Sequence, residues 1–215
     1  MKAVIFDMDG LMIDSEVVSY AVYKDLLSKY GVDLSLSQYG LCFAGKTMTN
    51  GLLYARDYFN LDFNIDDAES FCFVKEREIV EQKGVELKPG LVELLEYLKM
   101  NNMKCAIATS SGLERVHKLV DKYDILKYFD EITCGSEVKN GKPAPDIFLK
   151  ACEKLGVQPQ EAYVLEDSEA GVQAGYSAGI QTICIPDMKQ PEEKYQKMAF
   201  RIFESLFDVI DYLKG

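Results

Sequence analysis

Met1-Lys2-Ala3-Val4-Ile5-Phe6-Asp7-Met8-Asp9-Gly10 carries a short apolar run directly into two aspartates and a glycine. Residues 2–6 are too few for a helix, and an unbroken apolar run of this length fits a strand covered on both faces. Runs of the same kind recur at residues 104–109, 131–134, 162–166 and 181–185, each bounded by charge, Gly or Pro. Between them the apolar residues fall at helical spacing. Residues 90–101 align Leu91, Leu94, Leu95 and Leu98 behind Pro89, and residues 112–123 align Leu113, Val116, Val120 and Tyr123. Residues 144–155 begin at Pro145 and stop before Gly156, and residues 168–178 run from Ser168 towards Gly179. The tail, residues 203–213, spaces Phe203, Leu206, Phe207, Ile210 and Leu213 as a helix that packs back on the core. Strand alternating with helix predicts an α/β fold: a doubly wound, Rossmann-like parallel sheet.

One stretch breaks the alternation. Helical segments at roughly residues 16–30, 35–42, 47–59 and 65–82 follow one another with no strand between them, Gly31 ending the first and Asn64 positioned to cap the last. This predicts an α/β core from residues 1–15 and 84–215, with an inserted all-helical domain at residues 16–83. The chain would pass between the two near residues 14–16 and 83–88.

Composition narrows the class of partner. A formal net charge of −11 over 215 residues argues against nucleic acid or an anionic membrane as a partner. No apolar stretch approaches the ~20 residues needed to span a bilayer, and the acid at position 7 comes too early for a signal-peptide apolar region. The six cysteines are dispersed and His117 is the lone histidine, so zinc patterns are absent. Cys105, Cys134, Cys152 and Cys184 lie in apolar runs and read as small buried hydrophobes in a reducing cytoplasm. The expected state is a cytoplasmic monomer.

In open α/β sheets ligands bind beyond the carboxyl ends of the strands, near the point where strand order reverses. At those ends stand Asp7 and Asp9, then Thr109-Ser110-Ser111, then Glu166-Asp167-Ser168, with Lys142-Pro143-Ala144-Pro145-Asp146 ahead of a helix. Singly, each has an ordinary explanation: Thr109, Ser111, Asp167 or Ser168 as helix caps, Lys142 as a solvated loop residue. Together, four acids on one rim repel unless a cation sits among them, and an all-oxygen set without His or Cys selects Mg²⁺. A lysine and hydroxyls beside them supply what phosphoryl oxygens need.

The ordered set resembles the haloacid dehalogenase superfamily. Asp7 through Glu16 looks like its first motif, Thr109-Ser110-Ser111 its second, Lys142 through Asp146 its third, and Glu166-Asp167-Ser168 its fourth. The helical insertion resembles the small cap of the branch containing β-phosphoglucomutase and many sugar- and polyol-phosphate phosphatases. The resemblance implies that Asp7 attacks phosphorus and forms an aspartyl-phosphate, while Asp9 serves as acid and then base. It implies Mg²⁺ on the Asp7 and Asp167 side chains and the Asp9 carbonyl, with Glu166 assisting directly or through water. Thr109, Ser110, Ser111 and Lys142 would bind the phosphoryl oxygens. A loop at Ala44-Gly45-Lys46-Thr47 is similar to a family substrate-specificity loop, which makes Lys46 and Thr47 candidate substrate contacts.

The expected function is hydrolysis of a small phosphorylated sugar or polyol. A β-phosphoglucomutase-type mutase and a non-catalytic phosphate-binding module are the alternatives. The mutases carry a histidine where this chain has Ser19 or a neighbour, and an arginine where it has Thr47 or Met48. Their Lys-Asn pair after the second motif is here Gly112-Leu113. These departures favour water as the acceptor. Dehalogenation itself is disfavoured, because family members that perform it lack the second aspartate, here Asp9. His117 sits mid-helix beside the apolar stripe and reads as structural or surface, and the spacing of Arg56 and Lys88 decides nothing about either.

Overall fold

A computed structural model describes residues 1–215. Six strands form the sheet: β1 (Ala3–Phe6), β2 (Lys104–Thr109), β3 (Glu131–Cys134), β4 (Ala162–Glu166), β5 (Gln181–Cys184) and β6 (Arg201–Ile202). Ten helices accompany them: α1 (Ser15–Ser28), α2 (Leu36–Cys42), α3 (Met48–Tyr58), α4 (Ile65–Lys83), α5 (Leu91–Met100), α6 (Leu113–Val120), α7 (Asp146–Leu155), α8 (Glu169–Ser177), α9 (Glu193–Gln196) and α10 (Leu206–Lys214). The strand order is β3-β2-β1-β4-β5-β6 and every pairing is parallel. The order therefore reverses between β1 and β4, which places the ends of those two strands at the switch point.

The chain forms two compact units, Met1–Ile13 with Leu87–Gly215, and Asp14–Glu86. In the first, alternate residues of three central strands (Ala3 and Ile5, Ala106 and Ala108, Ala162 and Val164) share one sheet face. Four of the six are alanines, which leaves room for α7 to bury Ile147, Phe148, Ala151, Cys152 and Leu155 against this face. Each large side chain so buried contributes roughly 1.5–3 kcal/mol. Where the chain leaves and re-enters this unit, Ile13 pairs antiparallel with Leu87, and Lys88 N–H donates to Met12 O at 2.9 Å.

The second unit is all helical. Ser35 caps α2 through a reciprocal pair with Gln38, Thr47 caps α3, and Asn64 caps α4 by accepting from Asp67 N–H at 3.1 Å. Its interior is aromatic, with Tyr23, Tyr39 and Phe43 in mutual ring contact.

Three expectations need correction. Helix α6 stops at Val120 and gives way to a 3₁₀ turn over Asp121–Tyr123, so its inner face is Val116, Leu119 and Val120 while Leu113 is exposed. The tail helix begins only at Leu206, because Ser205 and Asp208 form a capping box there. Phe203 precedes it, Phe207 faces outward, and the buried residues are Leu206, Val209 and Ile210. The short strand β6 was not expected, since two residues carry no readable alternation. All six cysteines are unpaired, with only Cys42 partly accessible. No helix is long and apolar enough to cross a membrane.

Candidate active site

The two middle strands deliver the first acids. Asp7 follows β1 directly and its N–H donates to Leu165 O at 3.0 Å, tying it to β4; Glu166 ends β4 and Asp167 comes next. Carboxylate oxygens of Asp7, Glu166 and Asp167 lie within 4.8 Å of one another. Gly10 makes that approach possible. Its φ of +82° belongs to the left-handed region, and a Cβ there would sit 2.2 Å from Asp167 Oδ2.

Lys142 enters from the loop before α7. Its Nζ donates to Asp7 Oδ1, to Glu166 Oε1 at 2.6 Å and to Ala108 O at 3.3 Å, and it lies over the Phe148 ring. Its side chain is 7% exposed, so these bonds replace water almost completely. Glu166 is held on its other oxygen as well: Ser168 N–H and Oγ–H donate to Oε2 at 2.8 and 2.9 Å. The same Ser168 hydroxyl accepts from Gly171 N–H at 3.1 Å and caps α8. The expected helix cap is therefore present, and the same residue also holds the Glu166 carboxylate.

Charge balance follows from that geometry. Burial, then the neighbouring Glu166 charge, outweigh Lys142 and push the Asp7 carboxyl up to about 7. Asp167 is raised well above the ordinary carboxylate range by burial, Glu166 and Asp7. Burial opposes the Lys142 ammonium, but Asp7 and Glu166 overcome it and hold the lysine protonated above its usual range. A single cation against three close carboxylates leaves negative charge to be offset. Hard oxygen donors in this arrangement fit a divalent ion such as Mg²⁺.

Thr109 closes β2, two residues beyond Ile107, which is paired with Phe6. Its hydroxyl accepts from Ser111 N–H at 3.1 Å, and Ser110 is exposed. Ser111 Oγ–H donates to Asp9 Oδ2 at 3.0 Å. Arg115, in the first turn of α6, was not among the expected residues. Its Nη1 donates to Asp9 Oδ1 at 2.7 Å, Asp9 Oδ2 at 2.8 Å and Ser111 Oγ at 2.9 Å. The four-residue spacing of Ser111 and Arg115 becomes a signal only once the start of α6 at Leu113 is known.

A family model for haloacid dehalogenase-like hydrolases matches residues 4–185. The chain belongs to this family. As a haloacid dehalogenase-like hydrolase it acts on phosphate monoesters. It is similar to the phosphorylated carbohydrates phosphatase of Thermotoga maritima, 33% identical over 183 residues that cover 85% of this chain and 84% of that one. It is also similar to (DL)-glycerol-3-phosphatase 2 of Arabidopsis thaliana, 31% identical over 95% of this chain and 87% of the relative. Among solved structures it resembles a HAD family hydrolase from Deinococcus radiodurans with bound phosphate and sodium. The TM-score is 0.84 at 25% identity, covering 99% of this chain and 95% of that one.

The remaining candidates lie apart in sequence and role. Lys46 and Thr47 belong to the second unit, where Lys46 Nζ sits 5.4 Å from the Tyr54 ring and Thr47 caps α3. His117 is exposed and meets Asp121, Arg56 pairs with the adjacent Asp57, and Lys88 Nζ donates to Asp187 Oδ1 at 2.6 Å. Asp187 adds its charge to those acting on Asp167.

Proposed function

We propose that this hydrolase is a Mg²⁺-dependent phosphatase of a small sugar or polyol phosphate, working through an aspartyl-phosphate on Asp7. The observation that carries the reading is the Asp7 carboxylate, lysine-bonded and clustered with Glu166 and Asp167 at the switch point of the sheet. The names of the Thermotoga and Arabidopsis relatives support the substrate class.

Asp7 attacks phosphorus as the bond to the leaving oxygen breaks, and Asp9 gives that oxygen a proton. Water then attacks the aspartyl-phosphate, Asp9 takes the water's proton, and inorganic phosphate departs with Asp7 restored. Lys142 and the Thr109–Ser111 segment hold the phosphoryl oxygens, Lys142 as a fixed charge and the segment through its hydroxyl and N–H groups. Asp7, Asp167 and the Asp9 carbonyl would hold Mg²⁺, which supplies charge neutralisation between phosphate and acids. Glu166, engaged by Lys142 and Ser168, keeps the lysine in place. Lys46 and Thr47 are the candidate substrate contacts from the second unit.

The test is phosphate release from hexose phosphates and glycerol phosphate with and without Mg²⁺, for the wild type and Asp7→Asn. Wild-type release that requires Mg²⁺, with only a trace left in Asp7→Asn, is the expected result. Substantial activity in Asp7→Asn would remove Asp7 as nucleophile. Conversion of β-glucose 1-phosphate to glucose 6-phosphate on adding a bisphosphate primer would instead identify a mutase.

A further inference from the structure

We propose that Arg115 is a positioning residue for Asp9, acting together with Ser111 to aim the proton donor at the leaving oxygen. The inference rests on the proposed role of Asp9 and adds to it how that carboxyl is held. Asp9 lies on the turn beyond β1 with its side chain 34% exposed, open enough for a free carboxylate to rotate into water. Three hydrogen bonds from two side chains prevent that. Arg115 Nη1 donates to both carboxylate oxygens and to Ser111 Oγ, while Ser111 Oγ–H donates back to Asp9 Oδ2. The ring closes on residues fixed by the fold. Arg115 N–H donates to Gly112 O at 3.0 Å, and the next residue, Val116, is fully buried on the inner face of α6.

The two oxygens are unequal. Oδ2 accepts from both Ser111 and Arg115, whereas Oδ1 accepts from Arg115 alone. Oδ1 therefore keeps more acceptor capacity and is the oxygen assigned to the proton transfer. In the step, the O–H bond at Oδ1 breaks, its electron pair stays on Asp9, and the proton bonds the departing ester oxygen. A one-third-exposed ion pair adds little to folding stability, so the contact is better explained by aim than by the fold.

The test compares kcat/KM on phenyl phosphate and p-nitrophenyl phosphate for Arg115→Ala and Arg115→Lys, each alone and with Asp9→Asn. Loss of aim should lower kcat/KM on phenyl phosphate on the order of 10- to 10²-fold. The p-nitrophenolate leaves readily without a proton, so its ester should lose several-fold less. Arg115→Lys should recover part of the phenyl phosphate rate, and Arg115→Ala should add no loss once Asp9 is already Asn. An equal loss on both esters, a loss that persists in the Asp9→Asn background, or no loss at all would overturn the inference. If Asp9→Asn itself treats the two esters alike, the proton-donor assignment falls and this inference falls with it. If Asp9→Asn separates the esters and Arg115→Ala does not, only the positioning role is lost.

Discussion

A methyl group at position 171 would lie 1.7 Å from Glu166 Oε1, closer than any non-bonded contact permits. The missing side chain leaves room for the carboxylate that steadies Lys142, so Gly171→Ala must push Glu166 out of its bonds. Overpacking of this kind costs about 1–3 kcal/mol, and the displaced acid also loosens the lysine. The expected outcome is a lower melting temperature together with weaker retention of inorganic phosphate by the Mg²⁺-loaded protein. Gly141→Ala, with nothing within 4 Å of the added methyl, is the matched control and should change neither. The acids were legible because they follow the ends of apolar runs, and Lys142 because it stands in a proline-marked loop ahead of a helix. Arg115 was not, because its contact depends on where α6 starts, and Gly112 gives no side-chain cap to mark that start.

Among elements, α6 separates what periodicity reveals from what it hides. Apolar spacing over residues 112–123 suggested one stripe, yet the helix ends at Val120 and its first residue, Leu113, points outward at 50% exposure. A repeat of 3.6 residues identifies a face only while the chain stays helical, and the 3₁₀ turn at Asp121 rotates Tyr123 off it. The same limit applies at α10, where Ser205 sets the start and leaves Phe203 outside. A pair of truncations tests the revised face. Leu119→Ala, at 3% exposure, should lose about 2–5 kcal/mol in denaturant unfolding. Leu113→Ala should stay within about 0.5 kcal/mol of the wild type. Comparable losses at both positions would return Leu113 to the buried face.

For the whole molecule, acidity and metal use are linked through stability. The Asp7 carboxyl rises from an ordinary 3.8 to about 7, and Asp167 moves in the same direction. A native value raised above the unfolded one gives stability that is fully present below 3.8 and is lost as pH climbs through about 7. Metal-free protein should therefore lose stability across that window through these groups. Mg²⁺ replaces the protons, so the rise in melting temperature at saturating Mg²⁺ should be a few degrees larger at about pH 8 than at about pH 5. An equal rise at both would dissociate the ion from these carboxylates. The α/β architecture behind this behaviour was readable from short apolar runs alternating with helical spacing. Strand order was not, since equivalent buried runs carry no label saying which neighbours which.

That order also governs how the polypeptide acquires its shape in time. β1 occupies the middle of the sheet, yet its partners begin only at Lys104 and Ala162. Closing such distant pairings is slow, and an apolar strand awaiting its neighbours is prone to wrong association. Asp14–Glu86, by contrast, draws its contacts from one continuous stretch. During synthesis the helical unit should mature early, while the strand that leads into Asp7 lacks its second ladder, to β4, until most of the chain exists. Activity would then arise abruptly, at the moment β4 docks.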